Sequence, residues 1–339
     1  MMRIRAREGD VIETVDNIFF DVKGMVHPPG RVVAFIRFVP DPKGDRKRDG
    51  TAYRKVYALS ERYALLKQAF PQYLVYDQVF NEHLCEVPVK MVKNQYKPVD
   101  RLRDLRQGDK LDEAESQALR FAELLKENAN APWSKMGISG SILVKLHTKA
   151  SDIDPLVYGS EACKKVYLAL GFMLGSKASP VKPYSLRELR ELFDFRSKDT
   201  ATGFEDFVRT ESRKVLQGKF MGRDYFLRFV KDWNEIEEKY GAIIYKPEGY
   251  AKIRATIVDD SEAIFTPCHY KIGNVEVLEG NRIEAIEEIV SFRGRFCEQA
   301  RKGEAVIAQG KIEKLQKEGE REHYRLLLGN KASDHMILA

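Results

Sequence analysis

Cysteine is scarce in this chain of 339 residues, and the four that occur share no pattern. Cys85, Cys163, Cys268 and Cys297 show no paired spacing, which argues against a zinc site and against a disulfide framework. We therefore expect a reducing, cytoplasmic setting.

Long apolar runs are also missing. No stretch approaches the roughly 20 apolar residues that cross a bilayer, so no membrane partner is expected. The N-terminal segment lacks the apolar core of a secretion signal. The net charge of +6 is compatible with phosphate-bearing partners. It is equally compatible with a solvated surface rich in Lys, Arg and Glu, as in proteins from hot environments.

Short β-rich runs separated by turn residues occupy both ends of the chain, beginning with predicted strands at 3–6, 11–15 and 18–20. Four strings recur in the same order near the C-terminus, which favours a duplicated β module. The matching strings are 3–6 with 252–255, 18–20 with 264–266, 30–34 with 303–308, and 53–54 with 324–325. Aromatic and arginine side chains interleave in the first module, a pattern that suits stacking on bases or the packing of strands.

The centre of the chain is helical in character. Apolar spacing predicts a helix over 111–128, with Asp112 and Glu115 as a capping box. A second helix is predicted over 160–175, with Ser160 as its N-cap. Helical segments at 186–195 and 203–217 and a strand at 224–230 are predicted to follow.

These patterns predict an α+β fold in three regions. Residues 1–104 form a β-rich module with a helical tail, and residues 241–339 form a second β-rich module. Residues 105–240 form a central domain in which helices accompany a small mixed sheet.

The segment 136–158 carries the features most suggestive of chemistry. Gly140 and Ser141 follow a short strand and open a short helix, where free N–H groups and the absence of a side chain suit a phosphate. Asp152 and Asp154 are two residues apart on the next predicted strand, so their carboxylates share a face. A cation such as magnesium would relieve their repulsion. Either half alone is typical of a turn or of a solvated strand, whereas the combination is not.

This segment resembles the signature of the nucleotidyltransferase superfamily that includes DNA polymerase beta, the transfer-RNA CCA-adding enzymes and the aminoglycoside nucleotidyltransferases. The family pattern is Gly, then Gly or Ser, a gap of roughly ten residues, and two acids separated by one apolar residue. Residues 139–141 and 151–154 match it, and the match spans roughly 135–160. The whole chain also resembles a group of uncharacterised archaeal predicted nucleotidyltransferases.

The resemblance implies metal-dependent transfer of a nucleoside monophosphate from an NTP to an acceptor. Gly140 and Ser141 would hold the β- and γ-phosphates, and Asp152 and Asp154 would be catalytic and bind Mg²⁺ in a two-metal site. RNA is one candidate acceptor, and proteins and small molecules are others, because the acceptors of this superfamily are diverse.

The family also places a third carboxylate on an adjacent strand, and its counterpart here is not obvious. Asp224, at the start of the predicted strand, is the first choice for this catalytic role. Asp259 and Asp260 are explained by a hairpin turn. Glu211 falls on an otherwise apolar helical face, where a place at the rim is expected.

Two further positions depart from the family pattern. Ser139 stands where an apolar residue is usual. Pro155 follows the second aspartate and removes a ladder N–H, so the strand is expected to bulge, to end early or to lie at an edge.

Arg209 and Arg213 share one face of the predicted helix 203–217 and are candidates for nucleotide binding, as a clamp on a triphosphate or an acceptor backbone. The alternative is a solvated face paired with nearby acids. His27, His147 and His269 lack a second ligand at metal spacing and are interpreted as structural.

Two functions of different classes remain open at this stage. The first is a nucleotidyltransferase whose β-rich modules position the acceptor. The second is a catalytically weak or inactive protein of the same fold that binds nucleic acid or serves as a scaffold. An acidic side chain beside Asp152 and Asp154 favours the enzyme. Arg228 in that place favours the binding protein, because a fixed cation discourages magnesium.

Overall fold

The computed structural model describes residues 4–283 and 285–339. Arg3, the first residue of the predicted strand 3–6, lies outside the described residues, and residues 4–6 are irregular rather than a strand. The fold is mixed α+β with several sheets, in agreement with the predicted class. Among the described residues, no helix has the length and apolarity needed to cross a bilayer.

The chain divides into two compact units. The first comprises Met1–Val75, His83–Pro183 and Val215–Glu237. The second comprises Tyr76–Glu82, Tyr184–Lys214 and Glu238–Ala339. The first unit therefore contains both the N-terminal β-rich residues and the Gly-Ser and Asp motif.

Strands β1 to β14 lie wholly or partly in the first unit. They are β1 (Val11–Thr14), β2 (Phe19–Val22), β3 (Arg31–Pro40), β4 (Arg46–Arg48), β5 (Thr51–Lys55), β6 (Leu74–Asp77), β7 (Glu82–Pro88), β8 (Val92–Tyr96), β9 (Met136–Ile138), β10 (Pro155–Tyr158), β11 (Val181–Lys182), β12 (Gln217–Phe220), β13 (Arg223–Phe226) and β14 (Arg228–Val230). The helices of this unit are α1 (Leu59–Ala69), α2 (Pro98–Gln107), α3 (Glu113–Ala129), α4 (Gly140–Leu143) and α5 (Ser160–Gly175).

The N-terminal sheet has the order β4-β5-β3-β2-β1-β8, and β7 also pairs with β3. Side chains alternate between the two faces of a strand, and β3 shows this clearly. Val32, Ala34 and Ile36 enter the main apolar core of this sheet. Arg37 therefore lies on the opposite face, where it is only partly buried.

A small mixed sheet with the order β14-β10-β9 follows, in which β10 is parallel to β14 and antiparallel to β9. Helix α3 begins with the predicted capping box, since Asp112 Oδ1 accepts a hydrogen bond from the Glu115 N–H at 3.0 Å. Helix α5 has the predicted bounds, although its N-cap is Gly159 and Ser160 is its first residue.

The prediction of one continuous strand over 224–230 is wrong. It is divided into β13, which pairs with β12 in a separate three-stranded sheet, and β14, which pairs with β10. The break falls at Leu227, which is fully buried and whose N–H donates to the Leu216 carbonyl at 2.7 Å. The chain therefore passes from one sheet to the other at a buried apolar residue between the two strands.

The second unit is a closed barrel with two helices. Its helices are α6 (Leu186–Arg196) and α7 (Phe204–Glu211), and its strands are β15 (Ile243–Asp259), β16 (Cys268–Gly280), β17 (Ile286–Ser291), β18 (Ala305–Lys317), β19 (His323–Leu328) and β20 (His335–Leu338). The predicted helix 203–217 is too long, because α7 ends at Glu211 and β12 begins at Gln217.

The barrel follows the order β15-β16-β17-β19-β18, and β18 pairs back with β15. Strands β17 and β19 are parallel, whereas the other neighbours in the ring are antiparallel. This is the five-stranded Greek-key arrangement of the OB-fold. The neighbours β1, β2, β3, β5 and β4 of the N-terminal sheet pair only in antiparallel fashion. The predicted duplication is therefore wrong, since short strings that look alike occupy different topologies.

Candidate functional site

The turn at Gly140 lies directly against the side chain of Asp154. Gly140 has a φ of +63°, and a Cβ atom at this position would collide with Asp154 Oδ2. The Ser139 N–H donates to the Asp154 carbonyl at 2.8 Å, and Ser139 Oγ donates to the Gly9 carbonyl at 2.7 Å. Glycine is thus required twice, for its backbone conformation and for the space that the carboxylate occupies.

Asp152 and Asp154 flank a single buried residue. Ile153 is fully buried and forms an isolated parallel bridge with Tyr225. The two aspartates are partly buried on the other side of this backbone. They precede β10 rather than lie within it, because Pro155 is the first residue of that strand, a position that proline tolerates.

The negative charge of Asp154 is unfavourable in the folded protein. Burial raises the pKa of Asp154 to about 7, and the neighbouring charge of Asp152 acts in the same direction. Arg228, Lys55 and Arg37 lower the pKa of Asp154 without offsetting these effects. Such a displaced carboxyl pKa in a group of charged side chains is typical of a functional site.

Three of the cations near the aspartates come from the N-terminal sheet. They are Arg37 on β3, Arg46 on β4 and Lys55 on β5, and each interacts electrostatically with at least one of the two aspartates. Arg46 Nη1 also donates to the Leu146 carbonyl at 2.6 Å.

The same hairpin is attached to the loop that precedes Asp152 at two more points. Arg46 Nη1 lies 3.5 Å from Ser151 Oγ. Arg48 Nη1 donates to the Val144 carbonyl at 3.1 Å. The β4–β5 hairpin is therefore fixed on the segment that leads into the aspartate pair.

Buried acids hold two of the cations. Arg37 Nε lies 3.1 Å from Asp21. Arg228 Nη1 lies 3.1 Å from Glu8, which is fully buried and also binds Lys23 at 2.8 Å. Arg228 therefore belongs to a cluster of two cations and one acid, and its positive charge lowers the pKa of Asp154.

Over 337 residues the chain is 34% identical to the uncharacterized protein MJ1086 of Methanocaldococcus jannaschii, a match that covers 97% of this chain and 96% of the relative. The chain belongs to the MJ1086 family. No protein-family model matches the chain, and no solved structure matches it.

In this member of the MJ1086 family, the first unit contains the Gly-Ser turn, the aspartate pair and Asp224, whose carbonyl accepts a hydrogen bond from the Ile153 N–H at 2.9 Å. Gly140, Ser141, Asp152 and Asp154 lie close in the first unit, and Ser141 is buried as the second residue of α4. Asp224 lies opposite Lys219 in the β12–β13 hairpin and forms an ion pair with it at 2.9 Å. Its side chain is half exposed and engaged by this lysine, which gives no support to its predicted role as the third carboxylate.

The two arginines predicted to bind the nucleotide belong to the second unit. Arg213 forms a two-pronged contact with Glu304, at 2.5 and 2.6 Å, so its guanidinium is already occupied. Arg209 is exposed and donates to the Ala339 carbonyl at 3.4 Å. These contacts give no support to a phosphate-binding role for either arginine, and the partners that they show are not the helix acids Glu205, Asp206 and Glu211 of the alternative.

The other candidates for the third carboxylate also have structural partners. Glu211 is buried rather than at the rim, and it pairs with Arg196 and Lys214, each at 2.6 Å. Asp259 ends β15 and accepts a hydrogen bond from the Ser261 N–H at 2.9 Å, which is the expected turn chemistry. Asp260 follows it in that turn.

Two histidines serve local structure. His147 Nε2 lies 2.7 Å from Asp112 Oδ2, and Glu115 is close to both. Asp112 and Glu115 already complete the capping box of α3, so these groups are explained without a metal. His27 contacts the Ala6 carbonyl at 3.0 Å through Nε2 and accepts from the Val33 N–H through Nδ1.

The sequence analysis did not identify Lys55, Arg37 and Arg46 as cations near the aspartates. It also did not identify the acids that pair with Arg37 and Arg228, which are Asp21 and Glu8. A signal was present in the strands themselves. Asp21 and Arg37 interrupt runs that are otherwise mostly apolar, and charges at such positions lie on the face opposite the core. The sequence does not show that this face meets the aspartate pair.

Proposed function

We propose that this chain is a magnesium-dependent nucleotidyltransferase that moves a nucleoside monophosphate from an NTP to an acceptor and releases pyrophosphate. The observation that carries the proposal is the pair Asp152 and Asp154, in which Asp154 lies against the Gly140 turn and has a pKa raised by burial and by the charge of Asp152. The resemblance of residues 135–160 to the superfamily signature supports the same reading.

The residues present fit a magnesium ion and a phosphate. Carboxylate oxygens are preferred magnesium ligands, and the ion usually also binds substrate phosphates. Asp152 and Asp154 would hold it, and it would supply charge neutralisation at the transferring phosphoryl group. Gly140 leaves room beside the carboxylate, and Ser141 belongs to the first turn of α4, where backbone N–H groups have no intrahelical acceptor.

RNA is one candidate acceptor, and the distribution of charge favours a polyanion at the first unit. That unit contains 34 Lys and Arg residues against 25 Asp and Glu residues, whereas the second contains 23 against 26. A positive excess attracts nucleic acid and other phosphate-rich ligands.

A second candidate is a protein that binds a nucleotide or nucleic acid at this site without transferring it. The observations in its favour are that Arg228 interacts with Asp154 and that Asp224 is engaged by Lys219. Arg228 is also bound to buried Glu8, so its guanidinium group is partly engaged away from the aspartates.

The decisive experiment incubates the protein with Mg²⁺, each radiolabelled NTP in turn, and separate RNA, protein and small-molecule fractions of a cell extract. We expect label transfer by the wild type and loss of transfer in the Asp152→Asn, Asp154→Asn double variant. Asp109→Asn, which changes an exposed carboxylate of the same unit, is the matched control. Binding of NTP without transfer to any fraction would favour the second candidate and contradict the first.

A further inference from the structure

Lys55 is a half-buried cation without a bonded partner among the described residues. Its ammonium group makes no hydrogen bond and no ion pair there, and lies 5.7 Å from the ring of Tyr57. Burial lowers the pKa of Lys55, the charges of Arg37 and Arg46 lower it further, and Asp152 and Asp154 act in the opposite direction. Keeping this ammonium charged in the folded protein therefore has a cost.

The other cations near the aspartates are engaged differently. Arg37 pairs with Asp21, Arg228 pairs with Glu8, and Arg46 donates to the Leu146 carbonyl. Their donors are at least partly used within the protein. The three N–H groups of Lys55 are instead available to an added acceptor.

The position of Lys55 is set by the sheet rather than by a flexible loop. It is the last residue of β5 and lies opposite Phe38 on β3. The neighbouring strand β4 is attached to the loop before Asp152 through Arg46 and Arg48. The ammonium group is therefore carried by a fixed backbone and interacts electrostatically with Asp152 and Asp154.

We propose that Lys55 binds a phosphate group of a polyphosphate ligand held at Asp152 and Asp154. This inference rests on the proposed function for the location of the site, and it deepens that function by assigning a phosphate-binding residue outside the signature segment. A phosphate oxygen would satisfy the unpartnered ammonium group, and Arg37 and Arg46 would add to the positive field. The alternative is that Lys55 only screens the two carboxylates and has no ligand of its own.

Inorganic triphosphate is a suitable probe because it contains the phosphate chain without a base or a sugar. Its affinity would be measured by titration calorimetry in the presence of Mg²⁺ for the wild type, Lys55→Met, Lys55→Arg and Lys47→Met. Lys47 lies on the adjacent strand β4 and is exposed, so its variant controls for the loss of one positive charge.

We expect Lys55→Met to weaken triphosphate binding by about 10- to 100-fold, as for the loss of a charge-assisted contact. Lys55→Arg should retain part of the affinity, and Lys47→Met should bind as the wild type does. In the absence of ligand, Lys55→Met should unfold at the same temperature as the wild type or at a higher one. Tryptophan fluorescence reports this, since Trp133 and Trp233 both belong to the first unit.

Wild-type affinity in Lys55→Met would overturn the proposal, as would an equal loss in Lys47→Met. Lys55 would have only a structural role under two conditions. Lys55→Met would have to unfold at a lower temperature, and both Lys55→Arg and the folded fraction of Lys55→Met would have to bind triphosphate as the wild type does. The two proposals fail separately. If triphosphate binding depended on Lys55 but no nucleotidyl transfer occurred, the proposed function would be rejected and this inference kept. If transfer occurred and Lys55→Met bound triphosphate normally, the proposed function would be kept and this inference rejected.

Discussion

Each of the two units contains a cluster of buried charge, and the two clusters are balanced differently. In the second unit, Glu313 on β18 lies opposite Arg325 on β19 and binds it at 2.8 Å. Lys311 binds the same carboxylate at 2.7 Å, and all three side chains are almost fully buried. These two cations hold the pKa of Glu313 below its ordinary value despite burial.

In the first unit, burial has the opposite outcome. The pKa of Asp154 is raised to about 7, first by its burial and then by the negative charge of Asp152, and the nearby cations do not reverse this shift. Two of those cations, Arg37 and Arg228, are bound to Asp21 and Glu8.

The difference separates a structural cluster from a candidate site. A buried carboxylate with two cations in hydrogen-bond contact is complete within the protein, and losing one partner leaves the others unpaired. A partly buried carboxylate pair beside an unpartnered lysine is incomplete, and a bound cation or phosphate would stabilise it. The two clusters should therefore respond in opposite directions to the loss of one negative charge.

The largest expected effect is in the balanced cluster. Glu313→Gln should lower the free energy of unfolding by about 3–5 kcal/mol, because buried Arg325 would lose its bonded carboxylate and Lys311 would keep only its ion pair with Glu82. Urea denaturation followed by circular dichroism would measure this. Glu320→Gln, which removes one partner of an exposed pair with Lys317, should change the stability by less than about 0.5 kcal/mol. If the two variants changed the stability equally, the buried cluster of the second unit would contribute no more than an exposed ion pair.

A smaller effect of opposite sign is expected in the first unit. Asp154→Asn should raise the stability of the metal-free protein by about 1–3 kcal/mol at pH 8, because it removes a charge that the fold does not compensate. The folded pKa of about 7 lies above the ordinary 3.8, so the folded state binds more protons between these values. Wild-type stability should therefore fall as the pH rises from about 4 to about 7, and the variant should lack this contribution.

Unfolding followed by tryptophan fluorescence at several pH values would measure this contribution, since both tryptophans belong to the first unit. Asp109→Asn supplies the matched control for the loss of an exposed carboxylate. If Asp154→Asn instead lowered the stability of the metal-free protein, as we expect of Glu313→Gln, the charged cluster of the first unit would also be structural.

Local patterns predicted α3 and α5 closely, whereas the predicted helix 203–217 was too long. The capping box at Asp112 and the bounds of α5 were predicted from residues that are neighbours in sequence. The closed barrel was not predicted, because its parallel pair β17–β19 and the closing pair β15–β18 join distant segments. The false duplication has the same origin, since short β-rich strings specify strands but not the order in which strands pair.

The candidate site divides in the same way. Gly140, Ser141, Asp152 and Asp154 were found because they lie within one short segment that carries a recognisable spacing. The cations on β3, β4 and β5 come near the aspartates only when the N-terminal sheet is folded, so no local spacing in the sequence predicts them. The choice of Asp224 rested on a continuous strand, and the break at Leu227 places that residue in a hairpin with Lys219 instead.

The smallest effect is expected at Asp224, and it tests how far the aspartate pair acts alone. Asp224→Asn should change nucleotidyl transfer by less than about twofold and stability by less than about 0.5 kcal/mol, because its half-exposed carboxylate forms a single ion pair with Lys219. The same labelled-NTP assay would measure the transfer, with Asp152→Asn as the inactive reference. A loss in Asp224→Asn as deep as in Asp152→Asn would mean that this carboxylate leaves Lys219 and joins the pair when substrate binds. The candidate site would then contain three acids rather than two, in contrast to the balanced barrel cluster.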